Sequence, residues 1–347
     1  MFVAVGNAPS SGSTLLADLV DSLPFAVCGP ETRLFAVRGY FDDFKRMKRR
    51  GFFSSRSPVV YEMRQQFLVS RLASYGFDRT GVGECLRRSG SLHEFCDLFF
   101  QRFAGFRGKR CTVFFEKTPE NIHCARLFLD YFEEGFFIHV VRNPLYVYKS
   151  LLRRGFLPYI AAGTWLIDEA AVCGLSEHPR FFTIRYEELV KKPFETVVGL
   201  LRRIGMDFDP ERLAELYRTN EYRRRFETRI ESWSFKEFGR IGDANMTKVA
   251  LEDLRALGSM MNAKVGTRYA REFSLPEVSF RDLVRANGYS FKSPDEGPSI
   301  PALGSPLSRD GASFRFLVKK SLLDLMYRDC GIRNIRNYLR PIETVSG

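Results

Sequence analysis

The sequence predicts an α/β protein in which a parallel sheet carries helices on both faces. Apolar runs of about four to seven residues alternate with helical periodicity over residues 1–205, as expected for strands that are buried on both sides. Three of these runs give way to small or polar residues just before a helix pattern, at Gly6, Lys117 and Arg142. Ligands of such folds bind at the carboxyl ends of the strands, so we expect the functional residues at that edge of the sheet.

The predicted elements alternate along the chain from strand to helix. Each predicted strand is an apolar run, and each predicted helix carries apolar residues at helical spacing. Pro144 fits the first turn of its helix, where the missing N–H has no cost. Strands are predicted at residues 2–6, 25–27, 111–116, 135–141 and 180–185. Helices are predicted at residues 13–23, 119–130, 144–154, 159–173 and 186–204.

Residues 1–290 are predicted to form one domain that contains a helical insertion. The insertion, residues 35–105, is rich in arginine and interrupts the α/β pattern between two ligand-binding strands, so we expect it to form a lid and acceptor wall. Residues 206–290 have an irregular helical pattern. Residues 291–312 have the Pro, Ser and Gly content of a linker, and residues 313–347 are expected to form a C-terminal helical extension.

The composition predicts a folded, basic protein. Of the 347 residues, 45% are hydrophobic and 33 are phenylalanine, and the net charge of +12 suits a polyanionic ligand, an acidic acceptor or an anionic membrane surface. The sequence contains no recognisable motif of a DNA- or RNA-binding module, so nucleic acid is not expected as a partner. The seven cysteines are scattered without a C-x-x-C pair, which disfavours zinc and predicts reduced thiols. With no leader pattern before the first strand and no membrane-spanning apolar run, we expect a cytoplasmic location.

The loop after the first predicted strand has the pattern of an anion site. Small residues separate strand from helix, so backbone N–H groups and the positive helix end would face a ligand. They are Ser10, Ser11, Gly12, Ser13 and Thr14. The P-loop of NTPases differs, since it requires a lysine after the second glycine, where this chain has Ser13. We therefore expect a P-loop-like sheet with a phosphate-binding loop; a serine-rich turn without a ligand is the alternative.

A second set of residues has the pattern of a phosphate clamp. Arg142 ends a buried strand, Ser150 follows eight residues later, and Arg154 lies four residues further on the same helix face. An ordinary helix start, with Arg142 paired to an acidic neighbour, is the alternative. Lys117 would direct a charge into the same crevice or be a surface lysine. Tyr186 would pack on a base or belong to the core.

In this order, the elements resemble the sulfotransferases that use 3′-phosphoadenosine 5′-phosphosulfate (PAPS). The resemblance covers residues 1–205 and rests on Ser-Gly-Ser-Thr, Glu-Lys-Thr-Pro, Arg-Asn-Pro with its later serine, and Arg-Tyr-Glu-Glu-Leu. It implies sulfuryl transfer from PAPS, without a metal, to a hydroxyl or amine. It also implies that the loop residues Ser11, Gly12, Ser13 and Thr14 hold the 5′-phosphosulfate. By the same resemblance, Arg142 and Ser150, with Arg154 beside them, bind the 3′-phosphate, and Tyr186 lies by the adenine.

A closer likeness is to the tyrosylprotein sulfotransferase branch, in which the glutamate of Glu-Thr-Arg is the general base. Glu31 takes that place here, with Arg33 as a substrate-binding neighbour. The segment after Lys117 lacks the histidine base that cytosolic small-molecule sulfotransferases carry there. The resemblance implies Lys117 as the catalytic cation, and it implies Arg240, in a basic glycine-containing segment, as a 3′-phosphate contact.

Ser10 departs from the family pattern, which has Lys or Arg at this position. Ser10 stays a cofactor-binding candidate, and Lys117 or another cation would then supply the charge. Two other functions stay open: a P-loop-like nucleotide kinase or NTPase, and a non-catalytic nucleotide-binding module. The acceptor is expected to be a small molecule, a glycan or a peptide. The apolar and basic tail would contact a membrane surface, or pack on the domain or a second subunit.

Overall fold

A computed structural model describes most of the chain. The described residues are 1–49, 72–154, 156, 158–220, 250–265, 270, 274–290 and 342–344. Arg240, the predicted linker and the predicted tail helix lie outside them.

Five parallel strands form the central sheet, in the order β2-β3-β1-β4-β5. The strands are β1 (Phe2–Gly6), β2 (Ala26–Cys28), β3 (Val113–Lys117), β4 (Phe136–Val141) and β5 (Phe181–Arg185). The predicted parallel sheet is therefore confirmed, with small differences at strand ends. Val5 pairs with Lys117 and Gly6 pairs with His139, so β1, β3 and β4 end side by side. After β1 the chain forms β2 and β3 on one side of β1, and it then forms β4 and β5 on the other side. In open parallel sheets, a ligand-binding crevice lies at the carboxyl ends of the strands where the order reverses in this way.

Helices cover the sheet, and several begin at proline. They are α1 (Ser13–Asp21), α2 (Arg38–Asp42), α3 (Phe44–Arg49), α4 (Arg79–Arg88), α5 (Leu92–Phe106), α6 (Ala125–Tyr131), α7 (Pro144–Arg153), α8 (Pro158–Val172), α9 (Tyr186–Lys191), α10 (Pro193–Arg203), α11 (Pro210–Arg218), α12 (Leu251–Gly258) and α13 (Phe280–Ala286). Short 3₁₀ helices cover Leu72–Tyr75 and Pro119–Cys124. The helix predicted over 186–204 is divided at Lys192 (φ −137°), because a residue before proline disfavours helical geometry.

The core lies on both faces of the sheet, as predicted. Phe2 and Ala4 pack into one apolar cluster, whereas the intervening Val3 and Val5 pack into the other, because successive strand side chains point to opposite faces. The described part of the predicted insertion supplies much of the first cluster. On α5, Phe95, Phe99, Phe100 and Phe103 are fully buried, and Phe99 stacks on Phe77. These helices therefore support the sheet; the lid and acceptor wall stay a prediction.

A third apolar cluster joins α7, α8, α12 and α13 to a second, two-stranded sheet. This sheet pairs β6 (Ala263–Val265) with β7 (Ile342–Thr344) in antiparallel orientation. Strand β7 differs from the prediction, because it lies in the segment that was expected to form a helical tail. Among the described residues, no disulfide joins any two of the cysteines. In the same ranges, no helix has both the length and the apolar character needed to cross a membrane.

Candidate active site

The loop between β1 and α1 exposes the amino end of α1 to the crevice. Gly12 is the residue before the helix, and as a glycine it has no side chain with which to cap the first turn. Its φ is +92°, in the left-handed region. Ser10 also lies in the left-handed region, with φ +71°. Because the first N–H groups of a helix have no partners within it, this loop presents donors to an anion at the positive helix end.

Ser11 is the loop residue whose hydroxyl fits an anionic ligand most clearly. Its side chain is fully buried, and its Oγ has no hydrogen-bond partner among the described residues. A buried hydroxyl without a partner is unfavourable by about 1–3 kcal/mol, and an anionic oxygen in the loop would remove that cost. The Nε of Arg142, across the crevice, is also buried and unpartnered among the described residues.

Tyr186 packs directly against the loop. Its ring occupies the space in which a Cβ on Gly12 would lie, 2.2 Å from Cδ2. The Arg142 guanidinium lies over the same ring, 4.2 Å from its centroid. The ring is only 2% exposed, so in this structure Tyr186 supports the loop and Arg142. The contact with adenine stays a prediction.

Both arginines of the predicted clamp reach Ser10. Arg142 Nη1 donates to the Ser10 carbonyl at 2.8 Å, and Arg154 Nη1 donates to Ser10 Oγ at 3.1 Å. Trp165 Nε1 holds the Arg142 carbonyl at 3.0 Å. Burial lowers the pKa of the Arg142 guanidinium from its ordinary value, while nearby Tyr186 opposes the shift. Two cations therefore lie at the position where the family pattern has a basic residue in the loop.

Ser150, the other predicted member of the clamp, is half-buried on α7, one turn before Arg154. Residues four apart on a helix lie on the same face, so Ser150 lies on the Arg154 side of α7.

Glu31, Lys117 and Thr14 meet at the floor of the crevice. Lys117 Nζ donates to Glu31 Oε1 at 3.0 Å and to Thr14 Oγ1 at 3.4 Å. The lysine is 1% exposed, so the alternative that Lys117 is a surface residue is wrong. The Glu31 side chain keeps 20% of its surface exposed. A partly exposed carboxylate thus pairs with a buried ammonium group beside the loop between β1 and α1.

The segment that carries Glu31 is held to β3 residue by residue. Glu31 contacts Lys117, and the Thr32 amide donates to Glu116 Oε1 at 3.0 Å. The next residue continues the series, since the Arg33 amide donates to Thr118 Oγ1 at 3.1 Å. Three consecutive residues therefore bind three consecutive residues at the end of β3, which fixes the segment beside the sheet.

Arg33, the predicted substrate-binding residue, forms an ion pair with Glu120. Burial alone would raise the pKa of the Glu120 carboxyl, but the Arg33 guanidinium and nearby hydrogen bonds hold it below its ordinary value. Arg33 itself has φ +60°, an unusual conformation for a residue with a side chain. Its guanidinium is therefore engaged by Glu120 in this structure, and contact with an acceptor stays a prediction.

Three residues that the sequence analysis did not select complete this environment. Glu116 and Trp165 are buried, and each bonds to a segment that carries a candidate residue. Glu187 accepts from the Asn143 amide at 3.1 Å and from the Tyr289 hydroxyl at 2.8 Å, which joins the start of α7 to the segment after α13. Glu116 is the glutamate of the Glu-Lys-Thr-Pro motif on which the resemblance rests, but nothing in the sequence indicated which residues its carboxylate would bind.

Within the part of the chain that the structure describes, no three His, Cys, Asp or Glu side chains form a group suited to a metal ion.

Comparisons with known proteins agree on one family. A family model described as "Sulfotransferase family" matches residues 3–210. The sulfotransferase domain from the Synechococcus PCC 7002 olefin synthase is 18% identical, with a TM-score of 0.50 over 74% of this chain and 93% of that one. The sulfotransferase domain from the curacin biosynthetic pathway is also 18% identical, with a TM-score of 0.54 over 84% of this chain and 98% of that one. At this identity the two structures show the fold. No curated protein matches the chain significantly.

Proposed function

The chain belongs to the sulfotransferase family, and from this premise we propose that it transfers a sulfuryl group from PAPS to a hydroxyl or amine of an acceptor. The observation that carries the proposal is the contact of Glu31 and Lys117 beside the uncapped amino end of α1. A proton acceptor, a cation and a phosphate-binding loop are the three parts that such a transfer requires.

Two groups of residues are proposed to bind the donor. The loop residues Ser10, Ser11, Gly12, Ser13 and Thr14 would hold the 5′-phosphosulfate. Arg142, Ser150 and Arg154 would hold the 3′-phosphate, with Tyr186 by the adenine. Arg240, outside the described residues, is proposed as a further 3′-phosphate contact. The unpartnered Oγ of Ser11 and Nε of Arg142 support this fit, because each is a buried polar group that a phosphate or sulfate oxygen would satisfy.

Glu31 is proposed as the general base. The donor, when bound, supplies the sulfuryl group; Glu31 accepts the proton that the acceptor hydroxyl or amine releases. Its side chain accepts a hydrogen bond from Lys117 in the structure. Lys117 directs its ammonium group toward Thr14 and the loop, where it would stabilise negative charge that develops on the departing phosphate. Arg33 would contact the acceptor from the side of Glu31.

The other two functions have less support. The family assignment does not favour a nucleotide kinase or NTPase, and the loop lacks the lysine of a P-loop. A non-catalytic binding module remains the alternative that turnover decides. The proposed acceptor is a small molecule, a glycan or a peptide. A cytoplasmic location is part of this proposal and rests on the scattered, odd number of cysteines in the sequence.

Sulfate transfer from [³⁵S]PAPS to a panel of phenols, alkyl alcohols, tyrosine peptides and amino sugars tests the proposal. We expect transfer to at least one class, and we expect Glu31→Gln to lower kcat about 10²–10⁴-fold, the usual contribution of a positioned base. Affinity for adenosine 3′,5′-bisphosphate should change little, because Glu31 is assigned to the acceptor side.

Glu134→Gln is the control, since this glutamate is exposed at a turn before β4. Full kcat in Glu31→Gln would remove Glu31 as the base. A native protein that binds the nucleotide but transfers sulfate to none of the acceptors would favour the non-catalytic module.

A further inference from the structure

Glu116 carries a carboxylate that is almost completely buried at the end of β3. Its Oε1 accepts hydrogen bonds from the Thr32 amide at 3.0 Å, from the Thr32 hydroxyl at 2.7 Å and from the Thr118 hydroxyl at 2.7 Å. Its Oε2 accepts from Asn121 Nδ2 at 2.6 Å. The residue is 1% exposed, and all the donors that reach it from the described residues are neutral.

A buried carboxylate is an unfavourable choice for stability alone. Removing the charge from water is costly, and neutral donors offset that cost only if the hydrogen bonds are short and complete. The other residues of β3 before it are apolar and buried, so a valine or phenylalanine would continue the strand without this cost. A glutamate at position 116 therefore indicates a role in holding its hydrogen-bond partners in place.

Those partners connect the two candidate catalytic residues. Thr32 directly follows Glu31 in the chain, and Lys117 directly follows Glu116. The bonds between Thr32 and Glu116 thus fix the backbones that carry the carboxylate and the ammonium group, whose atoms lie 3.0 Å apart. Asn121 extends the network to β1, because its Nδ2 also donates to the Val5 carbonyl at 3.0 Å.

We propose that Glu116 is a positioning residue, which holds the segment of Glu31 at the distance from Lys117 and the phosphate loop that sulfuryl transfer requires. This inference rests on the proposed function. Glu116 does not itself face the reacting groups; it acts through Thr32. The hydrogen-bond donors to Glu116 are neutral, which suits this role. A lysine or arginine at one of their positions would be a second cation near Glu31 and would compete with Lys117 for its carboxylate.

Glu116→Gln is the first test. The amide keeps the shape of the side chain, but its NH₂ group would face a donor, the Thr32 amide and hydroxyl or Asn121 Nδ2, so at least one hydrogen bond is lost. With the acceptor that the native protein uses fastest, we expect kcat to fall about 10–100-fold. The dissociation constant for adenosine 3′,5′-bisphosphate should stay within about threefold of the native value, because the residues that are proposed to bind the nucleotide are unchanged.

A matched pair at Thr32 tests the same contact without altering the carboxylate. Thr32→Val removes the hydroxyl that Glu116 accepts from, and we expect kcat to fall about tenfold. Thr32→Ser keeps the hydroxyl and should restore kcat to within about threefold of the native value. Asp21→Asn is the control: this carboxylate is also buried, but it lies at the carboxyl end of α1 and binds Arg107. Folded Asp21→Asn protein should keep its kcat.

The outcomes separate this inference from the function on which it rests. A native protein without sulfate transfer overturns both. An active native protein whose Glu116→Gln and Thr32→Val variants keep full kcat overturns the positioning role alone. If Glu116→Gln does not fold, the Thr32 pair decides, and equal kcat for valine and serine overturns the inference. A parallel loss of kcat, nucleotide affinity and melting temperature would assign Glu116 a structural role instead.

Discussion

Gly12 satisfies two requirements at once, and each is visible in the structure. Its φ of +92° is a conformation that residues with a Cβ rarely adopt, and a Cβ would lie 2.2 Å from the Tyr186 ring. The glycine therefore lets the loop turn into α1 while Tyr186 packs against it from the side of Arg142. A substitution here would disturb both the backbone and the support of the clamp.

We predict that Gly12→Ala destabilises the protein by about 2–4 kcal/mol, combining the backbone cost with overpacking against Tyr186. Urea unfolding measures the loss. Gly174→Ala is the matched control, because Gly174 has a similar φ of +81° and open space around the added Cβ. It should cost only about 1 kcal/mol, the backbone part. Equal losses at the two glycines would contradict the steric role of Tyr186.

The residues that face the crevice were predictable, whereas those that support them were not. The glycine, the serines and Arg142 stand at the junctions of strands and helices, where an apolar pattern ends and a ligand-binding edge begins. By contrast, the bond from Thr32 to Glu116 spans 84 residues, and the bond from Arg142 to Ser10 spans 132. No local pattern determines which distant strand ends become neighbours, so such contacts follow only from the fold.

Helix α8 carries two consecutive buried carboxylates, each paired with a histidine of another element. Asp168 lies 2.9 Å from His123 Nε2, in the 3₁₀ helix after β3, and Glu169 lies 3.2 Å from His139 Nε2 on β4. Burial raises the pKa of Asp168 to about 6; the hydrogen bond and charge of His123 oppose the rise, and the charges of Glu169 and Glu120 add to it. The helix is thus joined to the sheet and to the segment after β3 through two buried carboxylate–histidine pairs.

The direction of the pH dependence follows from this pKa. Because the folded protein holds the Asp168 proton to higher pH than the unfolded chain, stability from this group is complete below about pH 4 and is lost as the pH rises through 6. The difference between the two pKa values corresponds to about 3 kcal/mol. We predict that the free energy of unfolding of the native protein falls by up to that amount relative to Asp168→Asn between pH 4 and 7.

Chemical denaturation at several pH values measures this difference. Asp207→Asn is the control, since Asp207 is exposed and the hydrogen bond and charge of Arg202 lower its pKa, which gives a small trend of the opposite sign. A difference between native protein and Asp168→Asn that stays constant with pH would show that Asp168 titrates alike in both states.

Helix boundaries illustrate a second limit of the sequence pattern. The apolar spacing over 186–204 is continuous, because both helices bury the same face against α1 and the sheet. The break comes from Pro193, which starts α10 and prevents Lys192 from adopting helical geometry. Periodicity reports which side chains are buried, and it is insensitive to a change of direction that keeps the buried face in register.

For the whole molecule, the net charge of +12 complicates every test of nucleotide binding. A basic surface attracts any anion, so a rise in melting temperature with a nucleotide is not by itself evidence of a built site. Two ligands of identical charge remove this ambiguity. Adenosine 3′,5′-bisphosphate and adenosine 2′,5′-bisphosphate differ only in the position of one phosphate, so nonspecific attraction affects both equally, and it weakens in salt.

We predict that adenosine 3′,5′-bisphosphate, at about a hundred times its dissociation constant, stabilises the protein by about 2.7 kcal/mol and raises Tm by about 3–5 °C. The 2′,5′-isomer and ADP at the same concentration should raise Tm by less than about 2 °C, since neither places a phosphate at the 3′ position.

Arg142→Ala should lose about 1.5–3 kcal/mol of affinity for adenosine 3′,5′-bisphosphate, the scale of a charge-assisted hydrogen bond, and with it most of the Tm shift. Arg202→Ala removes an equal charge from an exposed ion pair and should keep the shift. Equal shifts for the two isomers, or an unchanged shift in Arg142→Ala, would mean that the crevice attracts anions without recognising the 3′-phosphate.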